Sequence, residues 1–178
     1  MPQIWPSAGV DPFPRTVSAY LWRMIDRKPV PKTPLLLGLA GWIPFWLPVI
    51  LTAQAAFSGR SAAAEAGLFV IYAAIILGFL GGVRWGRALS DEDSNALTFT
   101  LSITPSLAGL AATFLYWAGA PLTAFTLVFA SLFMHWRWDT ASTWQGILPA
   151  WYGRLRSVLT LGACTAALAM LALYPMTV

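Results

Sequence analysis

The sequence is poor in charge, in cysteine and in histidine, and each shortage excludes a class of protein. Of its 178 residues only 10% are charged, while 58% are hydrophobic. A typical soluble domain carries about 25% charged residues, so this composition predicts an integral membrane protein. The single cysteine excludes a disulfide within these residues, and the single histidine excludes a bis-histidine haem formed by this chain alone.

Catalytic signatures are missing as well. The sequence has no Ser/His/Asp set, no HExxH motif and only one imidazole for a metal. We therefore expect no enzyme activity, no metal and no intrinsic cofactor, which leaves lipids or quinone as candidate ligands. The net charge is +4, but the basic residues lie at the ends of apolar runs. This position indicates membrane contacts and not nucleic-acid binding.

Five apolar runs predict an all-α membrane domain over residues 34–178, a bundle of five transmembrane helices. A helix needs roughly 20 apolar residues to cross a bilayer, and the fourth run is shorter than that. No Asp, Glu, Lys or Arg lies inside the five runs, although ion-coupled transporters usually need such groups at depth. The predicted spans are about 34–57, 66–83, 96–117, 121–136 and 157–174.

The positive charges predict the orientation of this bundle. With five spans, the N-terminus and the loops at 84–95 and 137–156 lie on one side. Arg60 is then the exception among the 11 Lys and Arg residues, since every other one lies on that side. Because cytoplasmic loops are enriched in Lys and Arg, we expect a cytoplasmic N-terminus and a periplasmic C-terminus in a bacterial inner membrane.

Residues 1–33 form a separate N-terminal arm. Its first part is rich in proline, which favours an extended chain. Residues 16–28 then place apolar side chains on one helical face, the pattern of an amphipathic helix lying at the membrane interface. Apolar anchors for a partner protein are spread along the arm and the first span; they are Ile4, Trp5, Phe13, Trp22, Trp42 and Trp46.

The second run ends in "GGVRWG", which combines small residues with arginines. Ala74, Gly78, Gly82 and Gly86 recur every four residues, a spacing that favours close helix packing in membranes. Arg84 and Arg87 follow at the membrane surface, where we expect contact with lipid phosphates, an anionic ligand or a carboxylate such as those of "SDEDSN". The full set of predicted lipid or partner-anion contacts is Arg84, Arg87, Arg137, Arg154 and Arg156.

Three motifs give the sequence a family resemblance. "GFLGGVRWGRAL" at residue 78, "SITPSLAGL" at 102 and "GILPAWYGRLR" at 146 occur in that order. Together they resemble the family of domain of unknown function 3429, the transmembrane protein 69-like proteins, over about residues 33–174. The resemblance implies a small multi-spanning protein of bacterial inner membranes or mitochondria. It implies no catalytic residue that can be carried over to this chain.

The remaining candidates are a histidine and three prolines inside predicted helices. His135, with Trp136 and Arg137, is a weak candidate for binding a quinone, haem or pigment. Pro44 and Pro48 interleave with Trp42 and Trp46, which we interpret as internal packing around a kink, with a partner-facing surface as the alternative. The kink at Pro105 is flanked by hydroxyl residues able to accommodate the freed carbonyls; these are Ser102, Thr104 and Ser106.

These features predict a non-catalytic accessory or assembly subunit of a larger energy-transducing complex, respiratory or photosynthetic. The expected partners are membrane lipids and other membrane subunits, because small-residue faces and aromatics favour helix contacts. Two alternatives remain open. One is a small-solute or lipid transporter that uses the kinks and a polar cavity lined by Thr100, Ser102, Thr104 and Ser106. The other is a protein that binds a hydrophobic cofactor such as quinone or pigment.

Overall fold

The computed structural model describes residues 29–90 and 95–177, and these segments are helical, without strands. Four stretches are long and apolar enough to cross a membrane: Lys32–Phe57, Ala63–Leu89, Ala96–Trp117 and Ala150–Thr177. The predicted all-α, multi-pass membrane architecture is therefore confirmed, whereas the amphipathic helix predicted at 16–28 lies outside the described residues. The elements are α1 (Lys32–Ala40), α2 (Ile43–Phe57), α3 (Ala63–Leu89), α4 (Ala96–Trp117), α5 (Pro121–Trp144), α6 (Ala150–Leu173) and a 3-10 helix (Tyr174–Thr177).

The first predicted span consists of two helices, because the helix is interrupted at Gly41 and Trp42. Pro44 explains the break. A proline has no N–H, and its ring collides with the carbonyl four residues earlier, which belongs to Ala40, the last residue of α1. The Gly41 carbonyl next to the break accepts a hydrogen bond from the Tyr72 hydroxyl of α3 at 3.0 Å. The break is thus fixed by a side chain from a neighbouring helix.

The helices from α2 to α6 form a closed ring. Each packs against the next in the chain, and α6 returns to pack on α2. Helix α3 also reaches across the ring to α5, and α1 lies against α6. Large apolar side chains fill the centre, among them Phe69, Leu77, Phe125, Leu132 and Met170, each at most 1% exposed.

Helices α3 and α4 pack with their backbones in close contact. A Cβ atom added at Gly109 would lie 2.8 Å from the Ala74 Cα, and one at Gly81 would overlap the Ser102 carbonyl. Gly78 also faces α4, since a Cβ atom added there would lie 3.7 Å from the Ser106 hydroxyl. The predicted small-residue face therefore needs a correction in its second half, because a Cβ atom added at Gly82 or Gly86 would have no atom of another described helix within 4 Å.

The helical repeat explains why those two glycines leave the interface. Four residues advance roughly 400° around an α-helix, so a spacing of four drifts by about 40° at each step. From Ala74 to Gly86 the drift reaches about 120°, which turns Gly86 away from α4. Gly81 lies back on the contact face because it is three residues beyond Gly78.

Helix α5 continues to Trp144, well beyond the predicted end of the fourth span at 136. The segment predicted as a loop over 137–156 is mostly helix, and only residues 145–149 connect α5 to α6. Gly146 makes this short turn feasible, since its φ of +79° suits a residue without a Cβ. Asp139 and Arg156 are consequently placed on adjacent antiparallel helices.

Pro105 lies inside α4, as expected. The carbonyl that it deprives of a backbone partner belongs to Leu101 and accepts a hydrogen bond from the Thr104 hydroxyl at 2.7 Å. Ser102 is buried against Gly81, and its hydroxyl bonds to the Phe99 carbonyl of its own helix. Thr100 also bonds to its own helix, at the Ala96 carbonyl. These hydroxyls serve the helix backbone, so they give no support to a polar transport cavity.

Candidate functional site: a buried ion cluster and an apolar pocket

One ion cluster joins three helices at the end of the bundle where α3 and α5 finish and α6 begins. Asp139 of α5 accepts hydrogen bonds from Arg84 of α3 and Arg156 of α6. Arg84 Nη2 lies 2.6 Å from Asp139 Oδ1, and Arg156 Nε lies 2.6 Å from Oδ2. All three residues are buried, with exposed fractions of 5% for Arg84, 2% for Asp139 and 6% for Arg156. The cluster carries two positive charges against one negative.

Arg84 is held by further contacts from α5. Its Nη1 donates to the Ser142 hydroxyl at 2.8 Å. Its guanidinium carbon lies 4.2 Å from the centre of the Trp138 ring, a cation–π contact. Asp139 and Ser142 are three residues apart and so share one face of α5. Arg84 therefore has a structural role in joining α3 to α5.

The predicted anion contacts divide into buried and outer arginines. Arg84 and Arg156 were expected at the membrane surface, and this expectation is corrected, because both are buried and pair with Asp139. Arg137 and Arg154 are exposed, and Arg87 is partly exposed. Helix length explains the difference, since the continuation of α5 beyond residue 136 covers Arg84 and Arg156.

His135 lies one turn before Asp139 on α5, beside the Trp138 ring at 5.4 Å between centroids. The imidazole is 6% exposed, and neither nitrogen has a hydrogen-bond partner within the described segments. Its predicted neighbours in a cofactor site point elsewhere. Trp136 donates its indole N–H to the Ser157 hydroxyl at 3.0 Å, and Arg137 is exposed. Among residues 29–90 and 95–177, no three His, Cys, Asp or Glu side chains gather as metal ligands.

A pocket of about 470 Å³ lies beside the ion cluster, enclosed mainly by α1, α2, α3 and α6. This volume falls in the range of about 300–1,000 Å³ that small-molecule sites occupy. Leu37 and Phe79 line it and are exposed on the outer surface of the bundle, so the pocket opens sideways between α1 and α3. Most of its wall is apolar, and the lining side chains with polar atoms are Trp42, Tyr72, Trp151, Tyr152, Arg156 and Thr160.

Helix α1 and Trp42 form one wall of this pocket. The Trp42 indole donates to the Leu159 carbonyl of α6 at 3.2 Å and lies where a Cβ at Gly162 would be. Trp46 is partly buried and packs against the apolar core. Both tryptophans therefore make contacts inside the chain. The other predicted partner contacts, Ile4, Trp5, Phe13 and Trp22, lie outside the residues that the structure describes.

Arg156 and Thr160 place polar groups on an otherwise apolar wall. They are one helical turn apart on α6, and both line the pocket. Arg156 uses its Nε for Asp139, and its Nη2 has no hydrogen-bond partner in the described part of the chain. The same holds for the Thr160 hydroxyl. Buried polar groups in proteins are almost always hydrogen-bonded, so this wall offers donors suited to a ligand.

Asp139 is absent from the predicted site residues, because the fourth predicted span ends at residue 136 and the helix continues to Trp144. A signal was present in the spacing of buried residues along α5, which alternates between three and four. The first members of this stripe are apolar and the last three are polar, so the core-facing side continues as a polar face. The buried stripe consists of Phe125, Val128, Leu132, His135, Asp139 and Ser142.

The bundle, its ion cluster and the pocket define a multi-pass helical membrane protein with a site of ligand size. The chain belongs to the family described as protein of unknown function DUF3429, which matches residues 30–172. This confirms the resemblance found in the motifs. Transmembrane protein 69 of Xenopus tropicalis is 37% identical over 141 residues, covering 76% of this chain and 52% of that protein. The chain thus spans about half the length of this relative. No solved structure matches the chain.

Proposed function

We propose that this protein binds an amphipathic small molecule of the bilayer in the pocket between α1, α3 and α6. The observation that carries the proposal is the position of Arg156, a buried arginine at the edge of an apolar pocket of about 470 Å³. Apolar walls with a few placed polar groups are the usual composition of small-molecule sites. The sideways opening supports entry from the lipid phase.

The proposal places the ligand's polar end toward the membrane surface. Arg156 is six residues inside α6, which begins at Ala150, and about 9 Å along the helix at 1.5 Å per residue. Phe45, Tyr72 and Ala163 line the pocket further toward the middle of the bundle. A polar head beside Arg156 therefore leaves the apolar body of the ligand to extend toward the bilayer centre. This orientation suits a lipid or a quinone better than a freely soluble metabolite.

A pocket-filling variant tests this function. Val83 is half-buried and lines the pocket, so V83W puts an indole into the ligand volume. Val158 is 42% exposed on α6 and does not line the pocket, so V158W is the matched control. Native mass spectrometry of protein from its own membranes should show a bound small molecule on the wild type and on V158W, and none on V83W. An equal ligand mass on V83W, or none on any form, would contradict the proposal.

A second function is supported by the outer face of α4. Ile103, Leu107, Leu110, Phe114 and Trp117 alternate in steps of four and three, and each is at least 44% exposed. This spacing is that of a coiled-coil seam, which packs against another helix. We therefore also propose an accessory or assembly role in a larger membrane complex, with a transmembrane helix of another subunit on this face.

Photo-crosslinking in native membranes tests the accessory role. A photoreactive amino acid at Leu107 or Leu110 should give a protein adduct of one discrete mass. The same amino acid at Leu168, an exposed position on α6, is the control. Lipid adducts alone at Leu107 and Leu110 would contradict a protein partner on this face. Deletion of residues 1–32 then tests the arm, which we propose adds to the same interface through its aromatic anchors.

We further propose five membrane crossings, with α5 as the fourth. Helix α5 has 24 residues, about 36 Å at 1.5 Å per residue, which exceeds the roughly 30 Å hydrocarbon core. The N-terminus then lies in the cytoplasm and the C-terminus in the periplasm of a bacterial inner membrane. Ser58 and Gln145 are exposed in connections at opposite ends of the bundle. A membrane-impermeant thiol reagent should label S58C and not Q145C in intact cells; labelling of both or of Q145C alone would contradict this topology.

A further inference from the structure

We infer that the ligand of this pocket is a long-chain monocarboxylate, held with its carboxylate on Arg156 and Thr160 and its chain along the apolar wall. The inference rests on the proposed binding function and names the ligand class. Three features select this class: the charge of the ion cluster, the number of donors on the wall, and the shape of the apolar space.

The charge of the cluster favours an anion. Among the residues that the structure describes, Arg84 and Arg156 share one carboxylate, that of Asp139, so two positive charges face one negative. Buried charges need partners, because an uncompensated charge inside a membrane protein is unfavourable. A ligand with one negative charge balances the cluster, whereas a neutral head leaves its net charge unchanged. A cationic head adds repulsion.

The donors on the wall match a carboxylate. Arg156 retains its Nη2 beyond the Nε used for Asp139, and Thr160 provides one hydroxyl. Side chains four residues apart on a helix are neighbours, with Cβ atoms about 5–6 Å apart. One carboxylate can therefore accept from both, with each oxygen taking at least one donor. A phosphate head has three acceptor oxygens and more charge, which these two side chains satisfy less completely.

The apolar part of the pocket matches a single chain. Its volume of about 470 Å³ lies in the lower half of the usual range for small-molecule sites. Leu37, Phe79 and Val83 line the side that opens to lipid. One extended alkyl chain can enter there with its head against α6. A phospholipid with two chains needs more enclosed space or leaves one chain outside the pocket.

Three photoreactive probes with the same alkyl chain test the head group. Palmitate, hexadecanol and hexadecyl phosphate, each with a mid-chain diazirine, are incorporated separately into phosphatidylcholine nanodiscs holding the full chain. Adducts on pocket residues are measured by mass spectrometry. Because hydrogen bonds to charged groups are stronger than neutral ones, palmitate should label the pocket about tenfold more than hexadecanol. Equal labelling by acid and alcohol, or stronger labelling by the phosphate, would overturn the inference.

Two variants with matched controls locate the head group. T160V removes a hydroxyl that has no protein partner in the described segments, so it should fold normally and reduce palmitate labelling by about tenfold. T52V removes a similarly buried, unpartnered hydroxyl of α2 outside the pocket and should leave labelling unchanged. R156Q should bring palmitate down to the level of hexadecanol. Unchanged palmitate labelling in T160V and R156Q would place the head elsewhere.

The same experiment separates this inference from the proposed function. If no probe labels the pocket more strongly than it labels V83W, the binding function itself fails. If all three probes label the wild type equally and V83W blocks them all, the pocket binds amphiphiles but does not select carboxylates. Only the first outcome removes the pocket as a functional site.

Discussion

The interface between α3 and α4 and the space between α1, α3 and α6 are both apolar, but they are built differently. At the first, Gly81 and Gly109 bring two backbones together and leave no room for a side chain. At the second, a pocket of about 470 Å³ remains, with Arg156 at its edge. The first interface is closed by packing. The second region is held by directed bonds: the ion cluster at one end, and the Tyr72 and Trp42 hydrogen bonds along the wall.

This difference explains how one helix serves two purposes. Helix α3 presents Ala74, Gly78 and Gly81 to α4, and Ile76, Leu80 and Val83 to the pocket. Small residues give close approach on one side, and larger side chains keep the neighbouring helices apart on the other. Substitutions on the two sides of α3 should therefore have separable effects on stability and on ligand binding.

The largest expected effect comes from removing the charge that holds the pocket side together. D139N leaves Arg84 and Arg156 buried without their counter-ion, and breaking a buried ion pair costs about 3–5 kcal/mol. The midpoint of unfolding in a detergent titration should fall accordingly. The double variant R84M/D139N removes one of the two unpaired charges, so it should recover part of this loss. A D139N variant as stable as the wild type would contradict the structural role of the cluster.

The next largest effect should come from opening the closed interface. G109L puts a side chain where Ala74 leaves no space, and overpacking costs typically about 1–3 kcal/mol. The unfolding midpoint measures this loss. G82L is the control, because a Cβ atom at Gly82 meets no other described side chain or helix within 4 Å, and this variant should be as stable as the wild type. Equal destabilisation by the two leucines would show that the two glycines do not differ in packing.

A smaller effect is expected from the hydrogen bond at the break between α1 and α2. Y72F removes the hydroxyl that donates to the Gly41 carbonyl at 3.0 Å, and such a bond contributes about 0.5–1.5 kcal/mol. The ring still packs on Phe45, at 4.9 Å between centroids, so the core should stay intact. Thermal unfolding should shift by a few degrees at most. A loss as large as that of D139N would mean that this bond, and not the ion cluster, holds the pocket side.

The smallest effect on stability is expected at the start of α4, away from both the glycine contacts between α3 and α4 and the pocket. The Asn95 side chain accepts from the Thr98 N–H at 3.0 Å, which is an N-cap. N95A should cost about 1 kcal/mol or less, whereas N95S should be close to neutral. Neither variant should alter ligand binding. Loss of bound ligand in N95A would show that the pocket depends on distant parts of the bundle.

Much of the fold could be predicted from the sequence, because uncharged runs and prolines carry strong local signals. The second and third spans lie within α3 and α4, and the Thr104 bond to the carbonyl that Pro105 leaves unpaired matches the expected use of hydroxyls. The site was harder to predict. Arg84 and Arg156 have the sequence context of surface arginines, and only the extension of α5 shows that both meet Asp139.

The remaining differences also have physical causes. We expected the first span to bend at its prolines. The helix is in fact interrupted just before Pro44, because the proline ring prevents it from continuing. The pocket could not be inferred from spacing, because it depends on how α1 and α6 approach α3 in three dimensions. Periodicity indicates which residues face inward, but it does not show where the facing side chains leave space.

The most direct test of the central claim is an experimental structure of the protein crystallised from a lipid mesophase. We expect elongated density in the pocket between α1, α3 and α6, ending in a head group at Arg156 and Thr160. Asp139 should lie between the two arginines. A pocket closed by side chains, or Arg156 turned into solvent with Asp139 unpaired, would contradict ligand binding in this pocket.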